Sequence, residues 1–361
     1  MKTLLIAIII LSTSVVNLFA THPPFPYGSS TQGMGAAFSG VAVNNDDIGG
    51  FLINPAQSSL FTESNRLKFR YGLSDRAWES DNDYHNLILT YNCAHENYGF
   101  GYGAFYRFEL DRDYYWEYFK KRVKSTIPGE GVFGFNASAY YGNKVRIAGG
   151  LTYKTGYGGY GKSRLDLGAD LTAKIMEQYP ISSKLNLDLS TNIGFAILNF
   201  IPSEDFDSQG PLVSRLGYSI NFGVNARLKN SYINIFKTIL TAENINDHAD
   251  GYFYEVWQLN RLFSIQNKSL SDGARGIILS FGDFLTLGTN QINDKSYNNA
   301  RFIGISSDGI FKIMDEISPS PFVTWMNRNL SISYSYAMIK NFYEMRRNRS
   351  YNIDFTFKNI F

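Results

Sequence analysis

The sequence predicts an all-β chain, a transmembrane antiparallel β-barrel of about fourteen strands with an N-terminal Gly/Ala-rich plug. Three observations predict it. Runs of apolar–polar alternation recur along the chain, several longer than ten residues, and their polar face carries charge. After the first 20 residues no run of about 18 apolar residues occurs, which excludes helical membrane spans. Between that leader and the first alternating run lies a small-residue, nearly uncharged segment that is neither a good strand nor a good helix.

Residues 1–20 read as an export signal: Lys2 supplies the positive start, Leu4 to Leu11 the apolar core and Leu18-Phe19-Ala20 the cleavage site. No Cys follows that point, so a lipoprotein anchor is not expected. The composition fits a strand-rich membrane chain. Aromatic residues make up 16%, with 25 Tyr and 28 Phe, which favours strands. Charged residues make up 18%, below the roughly 25% of soluble domains. The net charge of +2 gives no reason to expect a nucleic-acid partner. Cys93 is alone, so no intramolecular disulfide can form.

Residues 21–60 are expected to form the plug and 61–361 the barrel. The plug centres on Gly33 to Leu60, GMGAAFSGVAVNNDDIGGFLINPAQSSL. Its glycines, with Pro55 near the end, prevent a long helix. Asp46 and Asp47 could hold an ion, but Asn44-Asn45-Asp46-Asp47 reads more simply as a turn or helix cap, since such side chains bond nearby backbone N–H groups. Asn54-Pro55-Ala56 reads equally as a hinge beside a ligand route or as the turn that feeds the first strand. The set Gly33-Met34-Gly35-Ala36-Ala37-Phe38, Asp46-Asp47 and Asn54-Pro55-Ala56 resembles the segment shared by FadL-type outer-membrane transporters and the PorV/PorQ-type proteins of type IX secretion. That resemblance implies an outer-membrane barrel with one of two roles: passive entry of hydrophobic small molecules, or service as a secretion accessory or shuttle. Gln57, where the pattern has Gly, and Asn44-Asn45 before the Asp pair are departures that leave the branch open.

The alternating runs follow. From Tyr98 to Phe108 one face carries Tyr98, Phe100, Tyr102, Ala104, Tyr106 and Phe108, the other Gly99, Gly101, Gly103, Phe105 and Arg107. Leu165, Leu167, Ala169 and Leu171 oppose Asp166, Gly168, Asp170 and Lys174; Leu187, Leu189 and Ile193 oppose Asp188, Ser190 and Asn192; Leu216, Tyr218, Ile220 and Phe222 oppose Arg215, Gly217, Ser219 and Asn221. A half-exposed soluble sheet explains one such strand. A barrel in lipid explains the series, with apolar residues outward and Asp166, Asp170, Lys174, Asp188 and Arg215 facing the lumen.

Fourteen strands are expected near 66–73, 84–92, 98–108, 132–142, 144–153, 164–176, 184–198, 215–228, 232–245, 252–264, 275–288, 299–312, 328–340 and 348–361. Long connections at 74–83, 109–131, 154–163 and 199–214 alternate with short ones, placing long loops outside the cell and both termini in the periplasm. The alternation fades after about residue 250. Segment 109–127 is charged and aromatic and is expected to form a short amphipathic helix on the rim, chiefly as an interfacial girdle. The last strand sets Tyr351, Phe355, Phe357 and Phe361 on one face, a pattern that resembles the assembly signal read by the outer-membrane assembly machinery.

Chemistry is mostly absent. Gly156 to Gly161 matches G-x-G-x-x-G literally, but an alternating strand follows where a dinucleotide site needs a helix. His22, His85, His95 and His248 lack metal spacing, and no G-x-S-x-G marks a nucleophile. The reading is a non-enzyme without cofactor or metal. Its partners are membrane lipid, the assembly machinery, and a hydrophobic small molecule or secretion-system proteins, with no nucleic acid.

Overall fold

A computed structural model describes residues 40–42, 47–61, 65–75, 82–111, 131–157, 163–200, 212–228, 231–248, 271–292, 297–341 and 347–358. Within them, fourteen strands run in sequence order: β1 (Arg66–Asp75), β2 (Asn82–Ala94), β3 (Tyr98–Asp111), β4 (Gly131–Tyr141), β5 (Val145–Tyr157), β6 (Arg164–Pro180), β7 (Leu185–Phe200), β8 (Leu212–Leu228), β9 (Ser231–His248), β10 (Ser271–Phe281), β11 (Leu285–Ile292), β12 (Tyr297–Ser306), β13 (Leu330–Asn341) and β14 (Arg347–Lys358). Each pairs antiparallel with its neighbour in sequence, and β1 pairs with β14 to close the barrel. Closure matters physically, since no strand edge is left with unpaired N–H and C=O groups in lipid.

The period-two faces sort as the sequence predicts. On β3, Gly99, Gly101, Gly103 and Arg107 are buried while Tyr98, Phe100 and Tyr102 are exposed. On β6, Asp166, Asp170 and Thr172 are buried while Leu167 and Leu171 are exposed. Burial here means the lumen side, and the exposed side is apolar. A closed barrel built apolar-out and polar-in is the architecture of a bacterial outer-membrane protein. The seam between β1 and β14 follows the same rule. Phe69 and Phe355 pair outside with ring centroids 6.4 Å apart. Arg70 and Asp354 pair inside, the guanidinium donating from Nε at 2.6 Å and Nη2 at 2.7 Å to the two carboxylate oxygens. Tyr351, Phe355 and Phe357 lie on β14, and Phe361 falls outside the described residues.

Two expectations are corrected beyond residue 250. The strand expected at 275–288 is two strands, because the chain reverses at Gly282–Phe284 between β10 and β11. Gly282 and Asp283 both take positive φ, +61° and +57°, and Phe284 N–H donates to Phe281 O at 3.2 Å. That is the primed turn a Gly-Asp pair favours. The strand expected at 299–312 stops at Ser306, where a helix α1 (Ser307–Ile317) begins, followed by α2 (Pro321–Asn329). Ser306 and Ser320 cap them: each side-chain oxygen accepts a backbone N–H, from Asp308 at 3.2 Å and Val323 at 3.3 Å, and Pro321 occupies a first-turn position. The strand expected at 252–264 lies outside the described residues, as do the leader and segment 112–127. With β10 and β11 separated, long and short connections alternate again to the end, except that α1–α2 occupies the short-turn end between β12 and β13.

Candidate functional site

The described part of the N-terminal segment, 40–42 and 47–61, is almost wholly buried and packs on the inner face of the wall. It folds as two 3₁₀ turns, Gly50–Leu52 and Pro55–Ser59. Asn54 organises the second: its Oδ1 accepts from Ala56 N–H at 3.1 Å, while its Nδ2 donates to Val41 O at 2.7 Å and Ala169 O at 3.1 Å. One amide thus caps a turn, joins the two pieces of the segment and ties them to β6. Asp47 behaves as a local turn residue as well, its Oδ1 accepting from Gly49 N–H at 3.2 Å.

The wall is shaped to receive this backbone. Gly101, Ser138, Gly150, Gly168 and Ala196 are successive cross-strand partners from β3 to β7, forming one row of small inward residues around the barrel. A Cβ built on Gly101 collides with the Ser58 backbone, one on Gly150 with Pro55 O, and one on Gly168 with Asn54 and Pro55. Polar groups fill the gaps. Asn136 Nδ2 donates to Pro55 O at 3.0 Å, the Ser58 hydroxyl bonds Asn136 Oδ1 and lies 2.6 Å from the Ser138 hydroxyl, and Ser219 Oγ donates to Ala42 O at 2.8 Å. Apolar contact adds a cluster of Ile48, Phe51, Leu52, Ile88 and Phe105.

Buried ion pairs hold the segment at two further places. Arg70 Nη1 lies 2.8 Å from Asp47 Oδ1, so the guanidinium that closes the β1–β14 seam also holds the segment. On β9, Glu243 accepts Val41 N–H at 3.1 Å and lies 3.3 Å from Arg215 of β8. Toward the short-turn end, the lumen opens into a cavity of about 510 Å³ bounded by the segment at Asp47, Ile48 and Leu60. Its walls carry charge of both signs, including Arg66, Lys68, Lys174, Asp188, Lys237 and Asp308. A space so lined favours water over an apolar solute.

Of the residues singled out from sequence, Asp47, Asn54, Pro55 and Ala56 meet in this inner segment; Gly33, Met34, Gly35 and Asp46 fall outside the described residues. Asp166, Asp170, Lys174, Asp188 and Arg215 all face inward. Sequence reasoning missed Arg70, Asp354, Asn136 and Glu243. Their signal is a charge or amide on the polar face of an alternating run, which names the face but not the partner across the lumen. G-x-G-x-x-G falls where β5 ends and a strand follows at Arg164. Among the described residues no group of three or more His, Cys, Asp or Glu could hold a metal.

No protein-family model and no curated protein matches the chain. Solved structures similar to it include the CymD monoaromatic hydrocarbon channel (12% identity, covering 95% of this chain and 99% of that chain, TM-score 0.41). Others are the toluene transporter TodX of Pseudomonas putida (10%, 96% and 100%, TM-score 0.43) and a FadL homologue of Pseudomonas aeruginosa (9%, 94% and 99%, TM-score 0.40). The likeness is one of barrel form.

Proposed function

We propose that the protein is an outer-membrane conduit for passive entry of hydrophobic small molecules, and that residues 33–60 are the plug that closes it. The observation that carries this reading is the inner segment, seated on a row of small residues and held by two buried ion-pair sites. A fourteen-stranded barrel is wider than its own side chains can fill, so something must occupy the lumen. The solute class rests on the FadL-type side of a resemblance that the Gly33–Ala56 pattern shares with PorV/PorQ-type proteins. The cavity is lined mostly by charged and polar side chains. On this reading selection belongs at or above the segment, where the buried cluster of Ile48, Phe51 and Leu52 must part for a solute to pass, and the cavity is the wet exit.

The test is conductance. Deleting residues 41–60 removes the described seat, whereas a deletion ending at residue 50 would leave Asn54–Ser59 on the wall. The barrel should still fold, because its strands bond one another. In planar bilayers the 41–60 deletion should conduct severalfold more than the intact chain, and Gly150→Leu should move conductance the same way by crowding Pro55. A deletion variant that keeps heat-modifiable mobility and conducts no more than wild type rejects the plug. The solute class is tested separately: in intact cells the wild-type chain should speed entry of N-phenylnaphthylamine and leave sugar uptake unchanged. Equal probe entry with and without the protein rejects hydrophobic transport whatever the plug does. A secretion accessory would instead keep low conductance on deletion and lose export of its cargo.

A further inference from the structure

The helical hairpin α1–α2 is built inside out. Every exposed residue of α1 before its C-terminus is apolar: Ile310, Met314 and Ile317. Its polar residues turn the other way. Asp308 meets Lys358 of β14, Lys312 lies 3.5 Å from Asp283 of the β10–β11 turn, and Asp315 accepts from Thr324 and Asn327 of α2. Asp308 and Lys312 also line the lumen cavity. Two residues along an α-helix is a rotation of about 200°, so Ile310 and Met314 point away from the lumen. On α2, Phe322 and Trp325 are 65% and 54% exposed while Val323 and Met326 are buried. A helix in water would hide this face. The strands above it show the same inversion, with exposed Ile303 and Ile305 on β12 and Ile332 and Tyr334 on β13.

The hairpin also sits where the barrel wall is lowest. β11 has 8 residues, against 16 to 18 for β7, β8 and β9, and a membrane strand needs about 9–11. α1 rests on the turn that joins β10 to β11: a Cβ on Gly309 would collide with Gly282 O. At the same end of the barrel, on β3, β4 and β6, exposed Tyr98, Tyr141 and Tyr179 form an aromatic girdle of the kind that marks a membrane interface. The shorter side has the hairpin in that place.

We propose that α1–α2 is an interfacial foot: its exposed face, Ile310, Met314, Ile317, Phe322 and Trp325, lies in the phospholipid of the leaflet at the short-turn end and continues the lipid-facing belt beneath β10–β13. The occupant is lipid because the face is continuous with a surface that is already in lipid, Asp308 and Lys312 of α1 are turned to the lumen and Asp315 to α2, and the face carries a Trp and a Phe at the same end of the barrel as the girdle, with exposed Arg328 placed as a basic side chain is at a headgroup layer.

The experiment uses the full chain in phospholipid vesicles with Trp78, Trp116 and Trp257 each changed to Phe, so that Trp325 is the sole indole. Lipids brominated close to the headgroup should remove most of the Trp325 emission. Lipids brominated at the chain ends should remove less, and aqueous acrylamide little. Emission quenched by acrylamide and untouched by either lipid overturns the proposal. So does emission shielded from both, which would mean that a second copy or another protein covers the face. If the triple replacement fails to show heat-modifiable mobility, Ile317→Cys in a Cys93→Ser background, labelled with an environment-sensitive dye, gives the same reading. Its emission should shift to the blue in vesicles relative to a label at Ser183→Cys in the β6–β7 turn. Equal emission at the two sites overturns the proposal.

Discussion

Arg70 is the residue on which closure and occupancy of the barrel meet. It is 2% exposed, paired across the seam with Asp354 and across the lumen with Asp47. Breaking a buried pair by removing one partner costs about 3–5 kcal/mol, because the other charge stays behind. Arg70→Met should therefore lower the temperature at which the barrel loses its folded gel mobility. Asp47→Asn leaves the bidentate Arg70–Asp354 pair in place, so it should spare that temperature and loosen only the segment, seen as raised or noisier conductance. Wild-type melting of Arg70→Met would remove the clamp from the account. Asn54 works at the same scale without charge, and the Asn-Pro-Ala motif is explained by it: the amide caps, the Pro starts the turn, and Ala56 is small enough to be wholly buried near Tyr140 and Ala148.

Among the elements, the α1–α2 hairpin departs most from a plain barrel. It replaces a short turn, and its two helices are held by the Asp315 carboxylate, which accepts from the Thr324 hydroxyl and, at 2.9 Å, from Asn327 Nδ2. These bonds hold the Asp315 carboxyl below its ordinary value of 3.8, the Thr324 bond being the larger cause. A depressed carboxyl contributes stability above its unfolded value and loses it as pH falls through the folded one. The hairpin should therefore keep this contribution at neutral pH and loosen only in acid, below about pH 4. Hydrogen exchange over residues 307–329, followed against pH, reads this directly. Asp315→Asn should shrink the acid step, the remainder belonging to Asp308 of the same helix, which meets Lys358; an unchanged step would remove Asp315 from the account.

Across the whole molecule, the energetics are set by two solvents, lipid outside and water or protein inside. Ile220 sits mid-way along β8 facing out, beside exposed Leu240 of β9. Asn221, the next residue, faces in and donates to Ser190 Oγ at 3.1 Å and Asn192 Oδ1 at 3.3 Å. An arginine on the lipid face near the midplane costs about 2–4 kcal/mol, and one in the lumen much less. Ile220→Arg should reduce the amount of folded barrel recovered from outer membranes, whereas Asn221→Arg, which borders the cavity, should stay near wild type. Equal recovery of the two would contradict the assignment of faces.

The barrel's two faces were legible in the sequence because side-chain alternation along a strand is local: each residue's side follows from its neighbour's, and the charged side of a run must be the wet one. Hence the strands from β1 to β9 were readable within a few residues. The local rule failed where another local signal overrode it. Apolar residues lie on both sides of Gly282-Asp283 and invite one long strand, yet a Gly-Asp turn reverses the chain there. Alternation continues through Ser306, yet a Ser cap starts a helix. These signals were present and outvoted by the apolar pattern. The rest was not in the sequence to be read. That Gly101, Ser138, Gly150 and Gly168 share one row, that Arg70 meets Asp354 across 284 positions, and that Glu243 receives Val41 across 202 are consequences of register and closure. Sequence determined which residues face lipid, since that depends on a residue and its neighbours. Only the tertiary structure decided what meets across the lumen, since those partners share no local pattern and are brought together by the circumference of the closed sheet.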